Sequence, residues 1–123
     1  MFNFEKLDVW QKAIDFDNLI YNETRTFPSE ERFGLTNQVR RASVSISSNI
    51  AEGASRSSRT DFARFAEIAA GSVFEAASQT SITRPQSFLS GDQFARIYTD
   101  AEELSRMLSG LRKTLLSTLS SQQ

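Results

Sequence analysis

The amino-acid sequence predicts an all-α fold, an antiparallel up-down four-helix bundle that forms one domain over residues 1–123. Apolar residues recur three and four positions apart in four long runs, which is the spacing of a helix with one buried face. No run alternates apolar and polar residues as a half-buried strand would. The connections between the runs are short, and short connections make consecutive helices antiparallel neighbours.

The first two predicted helices span residues 4–26 and 36–53. Phe27-Pro28 ends the first, because the residue before a proline is pushed out of the helical region. Two adjacent apolar stripes run along it, Val9, Ala13, Phe16 and Ile20 in one and Leu7, Trp10, Ile14 and Tyr21 in the other. We expect Thr36 to be the N-cap of the second helix and Gly53 to terminate it. The core stripe of the second helix comprises Leu35, Val39, Ala42, Ile46 and Ile50.

The last two predicted helices span residues 59–83 and 91–119, and each follows a capping-box pattern. Ser58 with Asp61 starts the third, and Ser90 with Gln93 starts the fourth. Gly71 lies inside the third helix at a cost of about 1 kcal/mol relative to alanine, which predicts that another backbone packs closely there. The core stripe of the third comprises Phe62, Ala66, Ala69, Val73 and Ala77. That of the fourth comprises Phe94, Ile97, Tyr98, Ala101, Leu104, Leu108, Leu111, Leu115 and Leu119.

The chain contains no histidine and no cysteine. Their absence excludes a Ser-His-Asp triad, a cysteine nucleophile, a thiolate or imidazole zinc site and a disulfide framework. The sequence therefore predicts a protein that is not an enzyme, without catalytic residues, metal, cofactor or small-molecule substrate. It carries no leader-like segment and no apolar run that could cross a membrane, so we expect a cytoplasmic protein with no membrane contact.

A net charge of −1 conceals a strong segregation of charge along the chain. Residues 1–31 hold three Lys or Arg against seven Asp or Glu, whereas residues 32–64 hold six Arg against two Asp or Glu. Arginine suits phosphate because its planar fork donates paired hydrogen bonds. The candidate nucleic-acid-binding residues, for RNA or DNA, are Arg40, Arg41, Arg56, Arg59 and Arg64. No aromatic residue lies among them in this pattern, which favours contact with the backbone or shape of a nucleic acid over base stacking.

Small and apolar residues on the outer faces of the first three helices predict a homo-oligomer, because a monomer would leave these faces in water. The candidate interface residues are Trp10, Arg41, Ser45, Glu52, Gly71, Ser72 and Glu75. Arg41, Glu52 and Glu75 would then form ion pairs that fix the assembly. If these charged residues serve assembly, the alternative function is an oligomeric scaffold or adaptor that binds another protein.

Several short motifs follow one another in a recognisable order along the chain. They are Leu7-Asp8-Val9-Trp10 with Ala13, Gln38-Val39-Arg40-Arg41-Ala42, Ser45-Ile46, Asn49-Ile50-Ala51-Glu52-Gly53, Arg56, and Ala69-Ala70-Gly71-Ser72 with Glu75. This set resembles the four helix bundle protein family, also called the 23S rRNA intervening-sequence protein family. The chain departs from the usual pattern at Ser47, where many members carry proline, and in residues 83–89.

The resemblance implies a four-helix bundle that assembles as a ring, a homopentamer. It also implies a fold similar to that of the accessory variability protein of diversity-generating retroelements, whose ring binds nucleic acid. Both expectations come from the family and not from the spacing of residues in this chain. The family has no established biochemical activity, so the resemblance implies an assembly more strongly than a function.

Overall fold

The computed structural model describes residues 1–121, with side chains described for residues 1–117. Four helices account for most of this part of the chain, which contains no strand. They are α1 (Asp8–Glu23), α2 (Leu35–Ala54), α3 (Arg59–Thr83) and α4 (Gly91–Ser121). The bounds predicted for α3 are those observed, and α4 begins where the sequence indicated.

The helix α1 is shorter at both ends than the predicted span of residues 4–26. Leu7 has an extended backbone, with φ −83° and ψ 125°, and separates α1 from a short 3-10 helix at Asn3–Lys6. At the other end, α1 stops at Glu23, before Pro28 could terminate it. Thr24 follows in a tight turn, and its Oγ1 donates a 2.7 Å hydrogen bond to the Ile20 carbonyl.

The predicted caps of α2 are both wrong, and each has a packing explanation. Gly34 is the N-cap, and the Glu31 carboxylate accepts a 3.2 Å hydrogen bond from the Leu35 amide. Thr36 instead lies within the first turn, where its side chain is buried and its Oγ1 has no hydrogen-bond partner in the described residues. Gly53 lies inside α2, and a Cβ there would come within 2.7 Å of the Phe65 Cβ. The glycine therefore serves helix packing and not helix termination.

Contacts between α1 and α4 show that these helices run antiparallel. The Lys12 ammonium near the start of α1 lies 3.2 Å from Asp100 Oδ1 and 3.1 Å from Glu103 Oε2. Glu23 at the end of α1 accepts a 3.0 Å hydrogen bond from Arg96 near the start of α4. Burial of Lys12 acts to lower the pKa of its ammonium, but the hydrogen bonds and charges of Glu103 and Asp100 outweigh burial and raise that pKa.

The other consecutive helices are antiparallel as well. Asn3 next to α1 donates to the Ala54 carbonyl at the end of α2, while Arg40 in the first half of α2 donates to Thr24 just after α1. Ser45 and Ser72 join the middles of α2 and α3 through a 2.9 Å hydrogen bond, and Gly53 near the end of α2 faces Phe65 near the start of α3. Glu67 in the first half of α3 lies 3.5 Å from Arg112 in the last third of α4. The described chain is therefore the expected up-down bundle.

The core draws on all four helices, and burial of a large side chain such as Phe16 or Leu104 contributes about 1.5–3 kcal/mol. The predicted stripe of α1 (Val9, Ala13, Phe16, Ile20) is confirmed as buried. That of α2 is confirmed at Val39, Ala42, Ile46 and Ile50, whereas Leu35 is half-buried. The predicted stripe of α3 is partly wrong. Phe62 and Ala77 are half-buried, whereas Ala63 and Ala76 are fully covered. The reason is that α3 packs between α2 and α4 and must bury two adjacent rows of small side chains.

The stripe of α4 is confirmed at Ile97, Ala101, Leu104, Leu108 and Leu115, which are buried, whereas Phe94 and Leu111 are half-buried. Tyr98 is 46% exposed, so its predicted core position is wrong. Leu119 lies outside the side chains that the structure describes. No helix in residues 1–121 combines the length and the hydropathy that crossing a bilayer requires.

Candidate nucleic-acid interface

The five arginines singled out in the sequence do not form one continuous patch. Arg40 and Arg41 lie in the first third of α2, whereas Arg56 follows the end of that helix. A helix of 20 residues is about 30 Å long, so the two groups lie towards opposite ends of the bundle. Arg59 and Arg64 belong with Arg56, because they occupy the first turns of α3, beside the end of α2.

Arg40 and Arg41 line a surface groove of about 600 Å³ between the end of α1, the turn before α2 and α2 itself as far as Ser48. We call it the arginine groove and define it by Arg32, Arg40, Arg41, Tyr21 and Phe33. Its other lining residues are uncharged: Thr36, Asn37, Val44, Ser45 and Ser48. Three guanidinium groups thus share one concave surface that no carboxylate lines.

Arg40 is fixed in the arginine groove by three contacts. Its Nε donates a 2.9 Å hydrogen bond to Thr24 Oγ1, and its Nη2 donates a 3.4 Å bond to the Tyr21 carbonyl. Its guanidinium carbon lies 4.6 Å from the centroid of the Tyr21 ring, a cation–π geometry. A guanidinium has five N–H donors, so three remain for a ligand after these two hydrogen bonds.

Arg41 and Arg32 are exposed, and Arg41 makes no hydrogen bond or ion pair with the described residues. The guanidinium of Arg32 lies 5.5 Å from the centroid of the Phe33 ring, and that ring is 86% exposed. The expectation that no aromatic residue lies among the arginines is therefore wrong. Tyr21 comes from a different helix, and Phe33 with Arg32 lies in the turn that sequence analysis treated only as a connection.

The second group of arginines surrounds the turn between α2 and α3. Arg56 lies 2.9 Å from the Glu52 carboxylate, and its guanidinium lies 4.7 Å from the centroid of the Phe65 ring. Because Glu52 neutralises Arg56 locally, this group presents less free positive charge than its sequence suggests. Arg59 and Arg64 are exposed at the start of α3. The N-cap predicted at Ser58 is confirmed by a 3.0 Å hydrogen bond from the Asp61 amide.

The helices α1 and α2 share a partly buried carboxylate that was not among the predicted site residues. Asp17 accepts a 2.5 Å hydrogen bond from Ser43 and a 2.6 Å hydrogen bond from Ser47. Burial raises the pKa of the Asp17 carboxyl, and the two hydroxyl donors offset only part of that rise. Ser47 is where the family pattern often has proline, so the departure supplies a donor that proline does not have. The only sequence signal for this cluster is one aspartate beside the apolar stripe of α1.

Some of the predicted interface residues make contacts within the chain, and others are exposed. Trp10 is half-buried, with its ring 4.9 Å from that of Phe4, and Ser45 binds Ser72 inside the subunit. Gly71 is exposed, and a Cβ built there meets no atom within 4 Å, so no backbone of the same subunit explains the glycine. The role of these residues between subunits stays a prediction.

The predicted ion pairs among Arg41, Glu52 and Glu75 do not form within one subunit. Glu52 pairs with Arg56, and the Glu75 carboxylate accepts a 3.2 Å hydrogen bond from Gln79. Arg41 forms an ion pair with neither Glu52 nor Glu75 in the described residues. Pairing of these three groups across subunits stays a prediction as well.

The outer side of α3 carries apolar residues that the subunit leaves in water. Phe74 is 69% exposed, Ile82 is 53% exposed and Ile68 is 42% exposed. Phe74 also lines a cavity of about 380 Å³ between α3 and α4. We call these three residues the α3 apolar face. Among residues 1–121, no cluster of carboxylates is arranged to hold a metal ion.

The chain is similar to proteins whose function is unknown. The family model described as 23S rRNA-intervening sequence protein matches residues 5–110, which include the arginine groove. A solved structure of similar fold is that of a protein of unknown function from the S23 ribosomal protein family of Bacteroides thetaiotaomicron. It has a TM-score of 0.79 and 25% sequence identity, over 85% of this chain and 98% of that chain. No curated protein matches the sequence.

Proposed function

The chain belongs to the 23S rRNA-intervening sequence protein family, and from that premise we propose that it is a non-enzymatic, cytoplasmic, oligomeric protein that binds RNA or DNA through the arginine groove. The observation that carries the proposal is the convergence of Arg32, Arg40 and Arg41 on one concave surface that no carboxylate lines. Such a surface attracts phosphate, because guanidinium groups stay charged and donate hydrogen bonds in a planar fork. The family's name, which refers to rRNA, agrees with this ligand class.

A homo-oligomeric ring is part of the proposal, with five subunits as the family resemblance implies. Gly71 has open space where a Cβ would stand, and the α3 apolar face has no partner inside the subunit. A second subunit on this side would cover both features. A ring would also repeat the arginine groove in each subunit, so that one modest basic surface becomes a multivalent one.

The proposal assigns no reaction to the protein. The chain has no histidine or cysteine, and the residues that line the arginine groove include no carboxylate that could act as a general base. The raised pKa of Asp17 does not indicate catalysis, because its carboxylate is occupied by the hydroxyls of Ser43 and Ser47. Binding of an anionic ligand through arginine charge and hydrogen-bond donors is the function that these side chains support best.

The experiment compares nucleic-acid affinity in two matched double variants. Arg32→Gln with Arg41→Gln removes two charges from the arginine groove, and neither residue holds the bundle together. Arg106→Gln with Lys113→Gln removes two exposed charges from α4 and serves as the control. Fluorescence anisotropy with a labelled duplex and a labelled single strand is measured over a range of salt concentrations.

We expect the groove variant to bind at least tenfold more weakly than the control at low salt. The slope of log affinity against log salt should fall by about two on duplex DNA, because each phosphate contact releases roughly one counterion. Equal affinities of the two variants would refute the groove as the binding site. Failure of the wild-type protein to bind either nucleic acid at low salt would refute the proposed function.

A second candidate function is an oligomeric scaffold that binds another protein, and the α3 apolar face favours it. Exposed apolar residues of this size are typical of protein contact surfaces. Here Arg41 would serve assembly, so Arg41→Gln would lower the oligomer mass in light scattering. Under the nucleic-acid proposal the same substitution weakens nucleic-acid binding and leaves the mass unchanged.

A further inference from the structure

We infer that the arginine groove selects single-stranded nucleic acid, with an unpaired base stacked on Phe33 and the adjoining phosphates bound by Arg32 and Arg41. This inference rests on the proposed function and goes beyond it, since it names the strand form and the residue that distinguishes it. The carrying observation is the placement of a bare aromatic ring beside three guanidinium groups in one groove.

Phe33 is positioned as a stacking surface and not as a core residue. Its side chain is 86% exposed, which is unfavourable for a large apolar ring unless something covers it. The backbone around it is ordered by consecutive turns, in which Glu31 bonds to the Pro28 carbonyl, Arg32 to that of Ser29 and Gly34 to that of Glu31. The backbone that carries the ring is therefore ordered before any ligand arrives, and binding costs little further ordering of the main chain.

The guanidinium groups around Phe33 divide into one that is fixed by hydrogen bonds and two that are exposed. Arg40 is immobilised by Thr24 and Tyr21, so it gives the groove a charge of defined position. Arg32 and Arg41 are exposed and can follow the phosphates on either side of a stacked base. Proteins that bind single strands generally combine a basic groove with aromatic side chains on which bases stack.

Only an unpaired nucleotide can use both parts of the groove. In a duplex the bases are stacked on one another and paired, so their faces are hidden from Phe33, whereas the phosphates stay available to Arg32 and Arg41. A single strand offers the face of a base as well, at a position that its flexible backbone can adjust. Loss of the Phe33 ring should therefore weaken single-strand binding and leave duplex binding unchanged.

The volume of the groove suits a small organic group, and its uncharged polar lining suits a group that forms hydrogen bonds. At about 600 Å³ it lies in the range of pockets that hold small organic molecules. Asn37 and Ser48 add uncharged hydrogen-bonding groups to the lining. These groups suit the polar edge of a base or a sugar, whereas a purely apolar partner would leave them without hydrogen bonds.

The test uses the full chain with substitutions at Phe33 alone. Phe33→Leu keeps an apolar side chain but removes the ring, and Phe33→Trp keeps a ring and serves as the matched control. Because Phe33 is exposed, neither change removes a core contact. The probes are a 16-nucleotide single strand, as DNA and as RNA, and the same DNA annealed to its complement, at one salt concentration. Light scattering measures the mass of each variant.

We expect Phe33→Leu to bind at least one of the single strands about tenfold more weakly or worse, as the loss of one stacked base predicts. Its duplex affinity should stay within about twofold of the wild type, and Phe33→Trp should bind single strands at least as tightly as the wild type.

Two outcomes would overturn the inference while leaving the proposed function intact, provided that the wild type binds nucleic acid. One is an unchanged single-strand affinity in Phe33→Leu, and the other is an equal loss for single strand and duplex. If the first of these outcomes comes with a lower mass of Phe33→Leu, a second copy of the chain covers the ring in the wild type. If the wild type binds no probe, both the proposed function and the inference fail.

Discussion

Ser43 donates a 2.5 Å hydrogen bond to Asp17, and this bond joins the buried Ser43 of α2 to the partly buried Asp17 of α1. Ser47 donates a second bond to the same carboxylate. Two hydroxyl donors do not compensate fully for the water that Asp17 loses, so the pKa of its carboxyl lies above the usual value of 3.8 in the folded protein.

The raised pKa of Asp17 predicts a pH-dependent cost to stability. The folded state holds the Asp17 proton more tightly than the unfolded state, so protonation favours folding. Its contribution is fully present below about pH 3.8 and is lost as pH rises through the folded pKa. Asp17→Asn cannot titrate, so the stability of the wild type relative to Asp17→Asn should fall with rising pH in the acidic range. Urea unfolding of both proteins between pH 3 and pH 8 measures this difference. A difference that stays constant or grows with pH would contradict the prediction.

Gly53 should be intolerant of even one added methyl group. A Cβ at Gly53 would lie 2.7 Å from the Phe65 Cβ and 2.9 Å from Phe62 Cδ1, so α2 and α3 would have to move apart. We expect Gly53→Ala to lower the free energy of unfolding by about 1–3 kcal/mol, although alanine favours helix. The matched control is Gly110→Ala, where a Cβ meets nothing within 4 Å and the protein should gain about 0.5–1 kcal/mol. Equal unfolding midpoints for the two variants would contradict the close packing.

Gly71 tests whether α3 faces another subunit. Gly71→Leu and Gly110→Leu both place a side chain in open space on a helix, and leucine improves helix propensity by about 0.8 kcal/mol over glycine. Neither substitution should therefore unfold its own helix. If Gly71 lies in the predicted interface, Gly71→Leu will lower the oligomer mass in light scattering and Gly110→Leu will not. An identical mass for both variants would remove Gly71 from the interface.

Ser87 adopts a left-handed backbone, with φ of 60°, in the turn between α3 and α4. A side chain with a Cβ is strained in this region, whereas glycine is not. Ser87→Gly should raise the free energy of unfolding by about 0.5–1 kcal/mol, as thermal melts can measure. Ser78→Gly is the control with the opposite sign, because Ser78 is exposed inside α3, where glycine weakens the helix. A loss of stability in Ser87→Gly would contradict the strain.

Most of the fold could be predicted from the spacing of apolar residues. The buried stripes of α1 and α2 and the caps at Ser58 and Ser90 depend on residues close in sequence, so local patterns suffice for them. The predictions failed where a distant segment decides the outcome. Gly53 is buried under Phe62 and Phe65 of α3, which a pattern read along α2 could not indicate.

The candidate site could be predicted only as a concentration of arginine in residues 32–64. Helix geometry then separates Arg40 and Arg41 from Arg56 by most of the length of α2, and the pairing of Arg56 with Glu52 reduces the charge of the second group. Tyr21 joins the arginines only because α1 packs antiparallel to α2.

The sequence by itself determined the helix count, the family and the chemistry that the chain lacks, because periodicity, motifs and the absence of histidine and cysteine are local or compositional properties. Only the tertiary structure decided which charged residues share a surface and which hydroxyl groups donate to Asp17. It also decided that the Phe33 ring is exposed. Those properties depend on distances between segments far apart in the chain, and packing sets such distances only when all four helices come together.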